Sequence, residues 1–390
     1  MTFERPILKK ITARLSENTF RIQILLGARQ VGKTTLIHQA IKKIDFPSHY
    51  VIAEGGMNTQ WIEQQWGYVR AQSNDSSKGA LLVIDEIQKI ENWSERVKRL
   101  FDEDRIKQKN VKVVLLGSSS LLLQKGLSES MAGRFEVIPV PHWSFDECQQ
   151  AFDMTLDEFT YFGGYPGALP LRFDEERFFS YIHDAIVEPV VSRDILSQCI
   201  IHKPALLREL FRLGSEYSGQ ILSYNKMLGQ LQDAGNTTTL AHYLNLLEQS
   251  YVIKGLHKFT NELVRQRQSP PKFQVFNTAL QTNVHKKGFK NAMSDYEYRG
   301  RLVESAVGAY LLSIPHIDVA YWREDNQEVD FIASIKGKKI AIEVKSGKKI
   351  TSLSGLDSFH KKFKADIKLL VGTGGIPIDI FLKTPIEQFL

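Results

Sequence analysis

Gly27-Ala28-Arg29-Gln30-Val31-Gly32-Lys33-Thr34 fits the spacing G-x-x-x-x-G-K-[ST], with Thr35 directly after it. In such a loop the glycines let backbone N–H groups close on phosphate oxygens, and the N-terminus of the following helix adds about half a positive charge. Lys33 can then reach the β- and γ-phosphates, and the Thr34 hydroxyl can hold Mg2+. The apolar run LLVIDE ends on Asp85 and Glu86, 52 residues beyond the lysine. Asp85 there can hold the Mg2+ water shell, and Glu86 can polarise an attacking water. An Asp-Glu pair at a strand end is commonly just solvated; behind a complete phosphate loop it reads as the second half of a nucleotide site. A base for water favours hydrolysis over transfer to a small molecule. No guanine-reading N-K-x-D tetrad is visible, so ATP with Mg2+ is the expected cofactor pair.

Other residues around this site admit two readings each. VKVVLLG runs into Ser118, Ser119 and Ser120. Ser118 or Ser119 can sense the γ-phosphate if this strand neighbours the one ending in Asp85, and a Ser-rich helix cap is the alternative. Arg29 is either a further cation for the triphosphate or a partner that stabilises the loop.

A second constellation lies near the C-terminus. In Ile340-Ala341-Ile342-Glu343-Val344-Lys345 the isoleucines and Val344 share one side of a strand, and Glu343 and Lys345 the other. Asp330, 13 residues earlier, and Glu304, on a preceding helix, can add carboxylates. Such a set can hold Mg2+ while the lysine orients or polarises water for phosphodiester cleavage. Taken alone, E-x-K also suits an ordinary solvent-facing strand.

These groups need elements to position them. RIQILL, HYVIA, ALLVID, VKVVLLG and FEVIPV read as strands of a parallel sheet covered on both faces, with crossover helices between them. The predicted fold class is α/β with a P-loop parallel sheet at residues 1–140. A helical lid at 141–204 carries Phe159, Tyr161, Phe162 and Tyr165, more as core than as a base-stacking platform. Residues 205–285 read as a winged helix of three helices and a hairpin, and 286–390 as a small α/β domain. In the winged helix His242 and Asn245 face away from the leucine stripe. Lys258, Arg265, Arg267 and Lys272 fall on the wing, where they can meet phosphates. Protein docking is the other common use of such a module.

The chain has 390 residues, 43% hydrophobic and 24% charged, which suits a globular protein of two or three domains. Its two cysteines, Cys148 and Cys199, supply neither a disulfide framework nor a structural zinc site. The opening MTFERPILKK lacks the apolar core of a signal peptide, and no window reaches the roughly 18 apolar residues of a membrane span. A cytoplasmic protein with no membrane association is expected. Net charge is +6, split as 28 Lys+Arg against 30 Asp+Glu in residues 1–253 and 22 against 14 in residues 254–390. The basic surplus of the second half suits a polyanion such as DNA, or merely a solvated basic surface.

GARQVGKTT, LLVIDEIQKI, LLGSSSLLLQKGLSESMAGRFEVIPV, FGGYPGAL, Arg193-Asp194-Ile195 and TTTLAHYLNLLEQSYVI together resemble the prokaryotic AAA+-like P-loop ATPases with a C-terminal DUF4143 region. The resemblance covers nearly the whole chain. It implies an ATPase core, a winged helix and a restriction-endonuclease-like C-terminal domain, in which Glu304, Asp330, Glu343 and Lys345 resemble the PD-(D/E)xK nuclease set. It also implies a homo-oligomer, one form of which is a ring in which Arg134 of AGRF acts as a finger on a neighbouring subunit's γ-phosphate. A structural arginine paired with a carboxylate is the other reading of Arg134. Where the family has an aspartate this chain has Asn277. The function expected from all this is ATP binding and hydrolysis acting on or regulated by DNA. The alternative is a nucleotide-controlled switch or scaffold whose C-terminal domain only binds a partner.

Overall fold

The apolar runs of the N-terminal half form one parallel sheet: β1 (Ile22–Leu26), β2 (Ser48–Ile52), β3 (Ala80–Asp85), β4 (Val111–Leu116) and β5 (Phe135–Pro139), in the order β2-β3-β4-β1-β5. In this computed structural model the described residues are 3–17, 21–117, 131–196, 201–231, 235–262, 266, 269–347 and 354–390. Helices α1 (Ile7–Ser16), α2 (Lys33–Ile41), α3 (Thr59–Asn74) and α4 (Trp93–Ile106) accompany the sheet. Ile62, Trp66 and Val69 of α3, with Val97 and Leu100 of α4, pack on Leu82, Ile84 and Leu115. Every residue of β3 is buried, which is why it reads as an unbroken apolar run. The strand order puts β4 between the strand that leads into the phosphate loop and the strand that ends in Asp85.

Packing divides the chain once, into Met1–Pro141 and His142–Leu390. The second unit begins with α5 (Phe145–Phe152), α6 (Leu156–Phe162) and α7 (Glu175–Tyr181), followed by π-helical turns. Capping boxes start α5 and α6: Ser144 pairs with Glu147, and Thr155 with Glu158. Next come α8 (Pro204–Glu216), α9 (Tyr224–Gln230), α10 (Thr237–Gln249) and an antiparallel ribbon of β6 (Ile253–Leu256) and β7 (Lys272–Val275). Helices α11 (Thr278–His285), α12 (Phe289–Ser294) and α13 (Tyr296–Ser313) lead to β8 (Asp318–Glu324), β9 (Gln327–Ile335), β10 (Lys338–Lys345) and β11 (Ile367–Gly372). These last strands form a sheet in the order β11-β10-β9-β8. The crossover α14 (Ser354–Phe363) joins the parallel pair β10 and β11, and α15 (Ile378–Lys383) follows. Val303 and Val307 of α13 pack on Phe331 and Ile342 on one face, while Leu356 and Phe359 of α14 cover Ile332 and Ala341 on the other.

Of the segment expected as a helical lid, residues 142–204 fall in this second unit. Phe145 shares a core with Val307 and Ile342, and Tyr161 and Phe162 pack on Phe289. The same unit continues through residues 204 and 285. Asn277, the departure from the family pattern, secures two backbone amides: its Oδ1 accepts from Ala279 N (3.1 Å) at the start of α11 and from Gly164 N (3.3 Å). Gly163, at φ 65°, is required there, since an added Cβ would lie 1.9 Å from that same oxygen. Among the described residues no helix is long and apolar enough to cross a membrane.

Candidate functional site

The phosphate loop runs from the end of β1 to the first turn of α2. Gly27 is held close to β5: Val140 N donates to Leu26 O at 2.6 Å, and a Cβ on Gly27 would fall 2.1 Å from Val140 O. Gly32 turns the chain into α2 with φ 90°, a conformation that favours glycine. Val31 is buried, Arg29 half-buried, and Gln30, Thr34 and Thr35 are exposed. Lys33 is 9% exposed and folds back over its own loop, its Nζ donating to Gly27 O (2.9 Å) and Ala28 O (2.7 Å). These carbonyls hold the ammonium against the loop.

The sheet brings Asp85 to the same place. The Thr34 hydroxyl donates to Asp85 Oδ2 at 3.0 Å, although the two residues are 51 apart in sequence. A hydroxyl and a carboxylate meeting at the N-terminus of α2 are the groups that hold nucleotide-bound Mg2+ in such loops, so the residues present fit that ion. Asp85 Oδ1 accepts from Glu86 N at 2.8 Å, and Glu86 sits at φ 54°, a left-handed conformation uncommon outside glycine. Its carboxylate accepts from Gln88 Nε2. Backbone strain concentrated at the residue expected to polarise water is common at functional positions.

Two further residues support this site without any motif to mark them. Tyr50 of β2 donates to Asp85 Oδ2 at 2.8 Å. Burial and the adjacent Asp85 carboxylate push its phenol far above the usual tyrosine range, so it remains a neutral donor. Arg5, 3% exposed, donates to Val31 O at 3.2 Å and to Pro141 O at 3.1 Å, clamping the phosphate loop to the chain beyond β5. No local pattern signals either residue; each depends on a partner distant in sequence.

Arg134 is committed elsewhere. Its Nε and Nη2 bond the two oxygens of Asp102 at 2.8 and 3.0 Å, a bidentate pair within the first unit. That pair holds the Asp102 carboxyl below its usual range. Of the two readings of Arg134, this pair is the one expected of a structural arginine. Ser118 and Ser119 lie outside the described residues, as do Cys199, Arg265 and Arg267. The preceding Gly117 is buried at the end of β4, next to the β3 strand.

The carboxylates of the second constellation do come together, around a group that sequence reasoning put on a wing. Lys272 is fully buried, with its Nζ 2.6 Å from Glu304 Oε1 and 3.7 Å from Asp330 Oδ1. Asp330 Oδ2 accepts from Val344 N at 2.8 Å, and Glu343 Oε1 accepts from Lys345 Nζ at 2.5 Å. Burial and repulsion from Asp330 push both Glu304 and Glu343 up to about 7. Burial alone would lower Lys272, but Glu304, Asp330 and Glu328 hold it well above the usual lysine range. The set does not fit a resident Mg2+, and among the described residues no group of three or more His, Cys, Asp or Glu is arranged to hold a metal ion. Lys258, also expected to meet phosphates, lies 3.6 Å from Glu324 Oε1, and its neighbour Phe259 donates to Tyr321 O of β8. His242 and Asn245 of α10 are exposed, as expected.

The fold and this loop define an AAA-type P-loop domain in the first unit. Residues 19–149 match the AAA domain family, residues 154–290 a domain of unknown function (DUF8612), and residues 299–387 a further one (DUF4143). The chain thus carries an AAA-like P-loop domain followed by a DUF4143 region. It is 24% identical over 352 residues to an uncharacterized protein of Haemophilus influenzae, covering 84% of this chain and 83% of that one. It is also 23% identical over 377 residues to an uncharacterized protein of Methanocaldococcus jannaschii, covering 89% and 80% respectively. The Walker-type ATPase of Pyrococcus abyssi is similar in fold, with a TM-score of 0.51 at 14% identity, over 73% of this chain and 96% of that one.

Proposed function

We propose that the protein binds ATP with Mg2+ in the first unit and hydrolyses it, using this cycle to act on, or respond to, DNA. The carrying observation is the meeting of Thr34 and Asp85 at 3.0 Å beside Lys33, at the mouth of the phosphate loop. Mg2+ bound with the nucleotide would neutralise charge on the β- and γ-phosphoryl oxygens. Lys33 leaves its loop carbonyls to bind those oxygens. Thr34 and Asp85 would hold the ion, with the Tyr50 hydroxyl fixing Asp85. Glu86 polarises the attacking water, while backbone N–H groups of the loop bind phosphate.

For the second unit we take the binding rather than the cutting reading, because Lys272 stands among the carboxylates a nuclease would use. Helices α8, α9 and α10 with the β6-β7 ribbon are consistent with a winged helix, and the sheet with α13 with a nuclease-like fold. The surplus of 22 Lys+Arg over 14 Asp+Glu in residues 254–390 supports a polyanionic partner. With Arg134 paired to Asp102, the reading assigns no finger in trans, and a homo-oligomer stays an expectation carried by the family resemblance. ATP turnover measured with and without duplex and single-stranded DNA tests this function. Stimulation by DNA supports it, and turnover indifferent to every nucleic acid leaves only the nucleotide-controlled switch.

A further inference from the structure

The carboxylates of the second unit converge on an ammonium group. Beside Glu304 and Asp330, Lys272 Nζ lies 3.7 Å from Glu328 Oε1, donates to the Asp330 carbonyl at 3.2 Å and sits 5.0 Å from the centre of the Phe331 ring. Hard divalent ions bind carboxylate and carbonyl oxygens at about 2.0–2.6 Å. The lysine has taken ligands of that kind for itself. Glu343 Oε2 is buried, without a hydrogen-bond partner among the described residues, on a side chain 10% exposed. The ammonium is also a mechanical tie, since Lys272 belongs to β7, Glu304 to α13, and Glu328 and Asp330 to β9. A buried charge cluster of this kind persists only when the opposite charge is supplied in place.

We propose that this centre is a cation site filled by the chain's own Lys272. While that side chain is present the protein takes up no divalent metal here and cleaves no phosphodiester. Once it is removed, Glu304, Asp330 and Glu343 become a site for a hard divalent ion of the Mg2+ and Mn2+ class. The inference does not rest on the ATP site and stands or falls separately from it.

The experiment titrates the full-length, nucleotide-free protein with Mn2+ and reads the loss of the free-ion resonance signal, with thermal unfolding in Mn2+ and in EDTA alongside. Wild type and Lys272→Arg should take up no Mn2+ that depends on Asp330, and their melting should be the same in both solutions. Lys272→Ala should bind one Mn2+ per chain and melt higher in Mn2+ than in EDTA, and adding Asp330→Asn should weaken that binding by roughly tenfold or more. A Lys272→Ala protein that folds only in Mn2+ also supports the proposal. Mn2+ bound by the wild type and released by Asp330→Asn would overturn it. So would a Lys272→Ala protein that takes up no Mn2+, or one that fails to fold in either solution.

Discussion

Replacing Tyr50 by Phe removes one hydroxyl and leaves the ring against His38, whose centroid lies 4.4 Å away. The lost bond is the 2.8 Å donation to Asp85 Oδ2, the same oxygen that accepts from Thr34. A hydrogen bond to a charged acceptor contributes about 1.5–3 kcal/mol, and at a half-buried position the lower end applies. At about 1.4 kcal/mol per tenfold, that corresponds to roughly a tenfold weaker hold on the ion that Asp85 orients. Steady-state ATP hydrolysis followed against Mg2+ concentration, at saturating total nucleotide, should therefore show a roughly tenfold higher Mg2+ requirement, with a smaller fall in maximal rate. Because the phenol titrates far above the assay range, the ratio of wild type to variant should stay flat from pH 6 to pH 9, a window chosen well below the usual tyrosine value of about 10. An unchanged Mg2+ requirement in the variant would refute the claim that Tyr50 positions Asp85.

Other perturbations follow from the same geometry. Arg5→Ala should weaken ATP binding by calorimetry and lower the melting temperature by removing a buried clamp on Val31 O; a variant with wild-type affinity would leave Arg5 a purely structural role. Arg134→Ala and Asp102→Ala should each cost about 1 kcal/mol or less in chemical denaturation, as a partly exposed pair does, and leave ATP turnover alike. Selective loss of turnover in Arg134→Ala would restore the finger. Glu343 has its carboxyl raised to about 7, so the stability it contributes is fully present below its usual value near 4.5 and is lost as pH rises through 7. Glu343→Gln should therefore gain on the wild type between pH 5 and pH 8, by at most about 3 kcal/mol, the shift taken at about 1.4 kcal/mol per unit. A stability gap that does not change with pH would count against this environment for Glu343.

The first unit was legible because its signals are local. Near-continuous apolar runs mark strands buried on both faces, and the glycines and lysine of the phosphate loop keep a fixed spacing between strand and helix. The strand order that places β4 beside β3 was only a condition in the sequence, and the register settled it. Tyr50, Arg5 and the Arg134–Asp102 pair were not legible, because each is made by residues 26 or more apart whose meeting depends on tertiary packing. Lys272 shows the same limit more sharply. The pattern Glu304, Asp330, Glu343, Lys345 specified which carboxylates gather but not what fills the space among them. The filling residue sits on a strand that reads as a wing, and Phe259 and Tyr321 fasten the chain beyond β6 to the sheet. The aromatic segment after Pro141 reads as helical in either setting, and only its contacts with Phe289 and the C-terminal core assign it to the second unit.

Every proposed step in the first unit depends on the phosphate loop taking a triphosphate together with its ion. Isothermal calorimetry of ATP with Mg2+ against the wild type and Lys33→Ala measures that directly. One ATP should bind per wild-type chain, and the variant, lacking the ammonium now held by Gly27 O and Ala28 O, should bind at least about tenfold more weakly. No heat from the wild type, or the same heat and affinity from both proteins, would contradict it.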